Sequence, residues 1–97
     1  MDWYEMSNPG VILTIGKRIK EIRLRKNITQ EDLAKRAGVG VVSVINIEKG
    51  KPVSMSIFIP IIRELNLLEN LELLLPSPPI SPILMKKMQG KKRKRAS

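Results

Sequence analysis

Ninety-seven residues, 42% apolar but only 3% aromatic, are enough for one modest aliphatic core and no more than one domain. Cysteine and histidine are both absent, which removes disulfide staples, thiol chemistry and thiolate metal sites, together with the commonest metal ligand and proton shuttle. Eighteen basic residues against nine acidic leave a net charge of +9, a balance that points to a polyanion, either nucleic acid or an acidic membrane face.

Seven of the basic residues fall in the last twelve positions (Lys86, Lys87, Lys91, Lys92, Arg93, Lys94, Arg95) with no acid among them, so residues 1–85 carry only about +2. The longest apolar runs, such as 57–62, fall far short of the roughly 20 residues of a spanning helix. Asp2 and Glu5 stand where an export signal would be basic. The chain is therefore expected to be cytoplasmic and associated with the nucleoid rather than with a membrane. It is also expected to need no metal or cofactor.

Composition divides the chain into an arm (1–8), a compact domain (9–75), a proline-rich link (76–82) and a basic tail (83–97). Asn8-Pro9 predicts the start of the first helix, with Asn8 as cap and proline at the first helical position. Ile12, Ile15, Ile19 and Ile22 then form one apolar stripe, and Asn27 is suited to the left-handed turn that ends a helix. Thr29 predicts the cap of a second helix, with Glu31 and Asp32 at the positive end of its dipole. Leu33, Ala34 and Ala37 form its buried side, and Gly38 terminates it. A tight turn, Gly38-Val39-Gly40, leads into a third helix over 41–48 with Val44 and Ile47 inward. Two short helices joined by a glycine turn describe a helix-turn-helix, here over 29–48.

Either Ser54 or Ser56 caps a fourth helix whose Phe58, Ile61, Ile62 and Leu65 share a face. With Ser54 as cap, Pro60 lies in the second turn, deletes a backbone bond and should kink the helix. With Ser56, only the first intrahelical bond is lost. Asn66 ends this helix, and a leucine face at Leu67, Leu68, Leu71, Leu74 and Leu75 predicts a short fifth one. A domain of this size cannot cover so many leucines, so these five are the expected dimer interface. Proline spacing makes 76–82 extended. Residues 83–88 have the pattern of one helical turn, and disorder is expected from Gly90 onward.

From Ile19 to Lys51 the sequence IKEIRLRKNITQEDLAKRAGVGVVSVINIEKGK resembles the Cro/repressor-type helix-turn-helix family, also called XRE or lambda-repressor-like. The likeness rests on Arg23, on TQEDLA opening the second helix, on Gly38-Val39 in the turn and on IEKGK closing the third. It implies an all-α, five-helix DNA-binding domain over 9–75. It further implies a transcriptional regulator that sits as a dimer on a palindromic operator, with the third helix in the major groove of double-stranded DNA, and that acts on its own gene. Carried over by position, Gln30 contacts a phosphate and buttresses the third helix. Val41, Val42, Ile45 and Asn46 stand where base-reading residues stand, and Gly40 takes the place of a phosphate-touching Ser/Thr cap. Lys49 and Lys51 approach the DNA backbone, Thr29 and Ser43 complete the set, and Arg23 and Glu48 match a buried structural ion pair.

The sequence departs from the pattern at Val41, Val42 and Ile45, where hydrogen-bonding residues are usual. Valine reaches only thymine methyls, which leaves Asn46 as the one bidentate reader. Specificity should therefore be low, or come from DNA shape or a partner. Alternatively, the three apolar residues pack beneath a neighbouring element or meet a protein.

The tail residues Lys91, Lys92, Arg93, Lys94 and Arg95 are expected to rake phosphates, which steepens the salt dependence; an inert solvated run and an import signal are the other readings. A second function from a different class is an antitoxin or adaptor paired with a toxin kinase of the high-persistence (HipA) type, its proline link or tail contacting that partner. Catalysis is not expected. Glu31 and Asp32 are adjacent and diverge on a helix, Glu69 and Glu72 read as solvated surface, and no phosphate-cradling loop follows a strand.

Overall fold

The computed structural model describes residues 2–78, and these form only helices and turns. The expectations for the tail and for most of the proline link lie outside the described residues. Five α-helices follow in order: α1 (Asn8–Arg25), α2 (Gln30–Ala37), α3 (Val41–Glu48), α4 (Met55–Glu64) and α5 (Leu71–Leu74). Single 3-10 turns precede the first, at Trp3–Glu5, and the last, at Leu68–Asn70.

Local chemistry sets most boundaries. Ser7, not Asn8, caps α1: its side chain accepts from the Gly10 amide at 3.1 Å. Pro9 then sits second in the helix, where its missing N–H is still one that no helical carbonyl would have met. Thr29 caps α2 by accepting from the Asp32 amide at 3.0 Å. Asn27 (φ 56°), Gly38 (φ 71°) and Asn66 (φ 61°) take the left-handed turns after α1, α2 and α4. A substitution at Gly38 meets no atom within 4 Å, so only backbone conformation keeps glycine there.

Ser54 is the cap position of α4, although its hydroxyl lies 2.8 Å from that of Ser56 rather than on an amide. Its carbonyl accepts from the Ile57 and Phe58 amides, both at 3.0 Å. Pro60 therefore lies inside α4, and the helix continues through it to Glu64. The carbonyl that loses its partner belongs to Ser56, an exposed residue, where water takes the place of the missing amide.

α3 packs on α1 and α2, and α2 packs also on α4. The core between them is aliphatic: Ile19, Ile28, Leu33, Ala34, Val44, Ile47, Ile61 and Leu65 are buried, with Leu33, Val44 and Ile61 wholly so. α2 and α3 are two turns each, too short to persist alone, so their geometry is imposed by this packing.

Gly16 is buried on α1 where the end of α3 crosses it. A Cβ placed there would lie 2.1 Å from the Ile47 carbonyl oxygen, so only glycine lets the two backbones approach this closely. Among the described residues no helix is long and apolar enough to cross a membrane.

Candidate nucleic-acid interface

The helix-turn-helix is held by one buried polar cluster. Arg23 from α1 and Glu48, the last residue of α3, are 6% and 8% exposed. The guanidinium meets the carboxylate twice, Nε to Oε2 at 2.6 Å and Nη2 to Oε1 at 3.0 Å. Arg23 Nη1 also donates to the Ile28 carbonyl at 2.8 Å, which ties the α1–α2 connection into the same cluster. Gln30, first residue of α2, donates from Nε2 to Glu48 Oε1 at 3.0 Å. A carboxylate only accepts, so the amide nitrogen must face it. The α1, α2 and α3 helices thus converge on one carboxylate with three donors, and no buried side-chain polar atom among the described residues lacks a partner.

This cluster places the α3 surface. Of the four residues at reading positions, Val42 is 63% exposed, Ile45 and Asn46 are half-buried, and Val41 packs against the core. The outward apolar strip is therefore Val42 with part of Ile45. Thr29, Gly40, Lys49 and Lys51 are exposed, and Gln30 and Ser43 half-buried. Gly40 caps α3 with no side-chain hydrogen bond, which leaves the Val41 and Val42 amides without an internal partner, while the Ser43 amide donates to the Gly40 carbonyl at 3.0 Å. A Cβ at Gly40 meets nothing within 4 Å, and its backbone (φ −72°, ψ 149°) suits any capping residue. Replacing it by serine is therefore expected to raise stability by a few tenths of a kcal/mol, seen as a small rise in melting temperature.

The five leucines at 67–75 do not share one environment. Leu67 packs against the core, Leu68 and Leu71 are half-buried, and Leu74 and Leu75 are 71% and 72% exposed. The most exposed leucine of the stretch is Leu73, at 85%, which the spacing argument left out. A 3-10 turn and a single α-turn replace the continuous helix that the spacing assumed, so the faces differ. Gly16 was likewise not read from the sequence, and the resemblance implied a buttress from Gln30 to the third helix without naming Glu48 as its partner, since both depend on contacts between separate helices.

Two short helices joined by a glycine turn, the second of them locked by a buried ion pair, define a helix-turn-helix. The helix-turn-helix family profile matches residues 19–69, more than half of the chain. The chain belongs to that family, in its Cro/repressor (XRE) form. It is also similar to an uncharacterised HTH-type transcriptional regulator of Archaeoglobus fulgidus, with 56% identity over 34 residues. That match covers 35% of this chain and 48% of the relative, so the chain spans about half the length of the curated relative it matches.

Proposed function

We propose that this chain is a DNA-binding transcriptional regulator whose α3 enters the major groove. The observation that carries the reading is the Arg23–Glu48–Gln30 cluster, which fixes the angle of α3 while leaving Val42, Asn46, Lys49 and Lys51 at or near the surface. In this reading Asn46 pairs with a base edge and Val42 meets a thymine methyl. The amides beyond Gly40, Gln30 with its remaining hydrogen-bonding groups, Thr29 and Ser43 hold phosphates, and the two lysines and the basic cluster 91–95 add backbone affinity.

The regulator acts as a dimer on a palindromic site, most economically its own operator. The α5 end supplies the contact, with Leu73 and Leu75 as the outward side chains. Val41 turns toward the core and shortens the apolar strip on α3, which supports DNA over a toxin partner as the occupant of that face.

The test is fluorescence anisotropy of the full chain across a salt series, on its own upstream DNA and on a scrambled duplex. The upstream duplex should bind ~10³-fold tighter or better, with two chains per duplex at saturation. Asn46→Ala should cost about 1–3 kcal/mol on that duplex alone, whereas Lys51→Ala should weaken both and lower the salt slope by about 1. Equal affinity for the two duplexes would remove sequence-specific regulation from the reading.

A further inference from the structure

On the surface formed by α1, α4 and α5 lies an apolar groove of about 320 Å³. Ile15 and Ile19 of α1 and Phe58 of α4 line it, Leu71 and Leu74 border it at α5, and Trp3 of the N-terminal turn closes one end. Only Arg18 and Asn70 bring polar groups to its lining, and the Arg18 guanidinium carbon sits 5.0 Å from the centroid of the Trp3 ring. Ile15 and Phe58 continue into a second apolar hollow of about 370 Å³. Trp3 is still 38% exposed and Leu74 71%, so the groove has room for another apolar segment.

We propose that the groove is filled by the apolar stretch 80–88 of the same chain. The described residues end at Pro78, four positions beyond Leu74, which itself borders the groove. The following nine residues from Ile80 include Ile83, Leu84, Met85 and Met88, so five of the nine are large apolar side chains, two of them methionines adaptable to an irregular surface.

Ile83 is nine positions along the chain from Leu74. At up to ~3.3–3.6 Å per residue they reach ~30 Å, ample for a return over the α5 end. A tether this short holds its own segment at roughly millimolar effective concentration, which favours it over a second copy.

Trp3 is the only tryptophan in the chain and reports on the groove directly. The experiment measures its emission maximum and acrylamide quenching in three full-length chains: the parent, the double variant Ile83→Asp/Leu84→Asp, and the charge-matched control Ala96→Asp/Ser97→Asp. All four substituted positions lie outside the described helices, beyond Pro78. The expected result is a red shift and stronger quenching in the first variant alone, with the parent signal unchanged on dilution. An equal response of the two variants, whether both shift or neither does, overturns the proposal. So does shielding of Trp3 in the parent that disappears on dilution, since that places a second copy in the groove.

Discussion

Replacing Glu48 by alanine is expected to lower the unfolding free energy by about 3–5 kcal/mol, because it leaves a buried guanidinium without its counter-charge. Arg23 has nowhere else to turn: it is 6% exposed, and its Nη1 is already committed to the Ile28 carbonyl at 2.8 Å. The same change strips Gln30 of the acceptor that ties α2 to the end of α3. A domain with a total stability of ~5–15 kcal/mol loses a large part of it. The double variant Arg23→Met/Glu48→Met separates two causes. If the orphaned charge dominates, the double variant recovers most of the loss, short of about 1–3 kcal/mol for the abandoned Ile28 carbonyl. Urea denaturation of the parent, the single and the double variant reads both effects. A double variant as unstable as the single one would mean that the pair's geometry, not charge compensation, carries the energy.

Gly16→Ala is the second large effect. Alanine normally gains about 1 kcal/mol over glycine inside a helix, so a propensity argument gives the wrong sign here. The added methyl would stand 2.1 Å from the Ile47 carbonyl oxygen, with the Ile47 and Glu48 carbonyl carbons at 3.2 and 3.3 Å. All three are backbone atoms of α3 and its end, so no rotamer change relieves the overlap. α1 and α3 must separate, at the upper end of the ~1–3 kcal/mol typical of overpacking or beyond it. The displaced residues include Glu48, so the loss spreads to the polar cluster and to the angle at which α3 is presented. Thermal melts should place Gly16→Ala well below the parent, while Gly40→Ser, whose Cβ meets nothing within 4 Å, stays at or slightly above it. On DNA, the same Gly16 variant should bind more weakly at a temperature where it remains folded.

The polar cluster explains why a two-turn α3 can be held in place at all. Its side chains at the core, Val44 and Ile47, fix its depth. Depth alone leaves rotation and tilt free, because apolar contacts are not directional. The bidentate pair with Arg23 and the bond from Gln30 add direction at the end of α3. For a helix proposed to enter a groove, orientation decides which side chains reach base edges.

Local chemistry in the sequence by itself determined the number and order of the helices. Capping at Thr29, the left-handed turn at Asn27, the helix ends at Gly38 and Asn66, and the isoleucine stripe of α1 all act within a few residues, and each appears where it was read. The inward pair Val44 and Ile47 follows from period alone. Where two neighbouring hydroxyls offered equivalent caps, at Ser54 and Ser56, local chemistry could not choose, and in the folded chain α4 begins after Ser54. Only the tertiary structure decided that Val41 turns inward while Val42 turns out. Period fixes Val44 and Ile47 as the buried side of α3, but the apolar residues flanking them at 41, 42 and 45 give no further signal of which one joins the core. Leucines 67–75 resisted for another reason: their spacing makes one face only in a continuous helix, and the 3-10 turn and single α-turn that form instead send the side chains to the core, the groove and the surface. Gly16 and the Gln30–Glu48 bond join residues far apart in the chain, and only the approach of one helix to another gives them their roles.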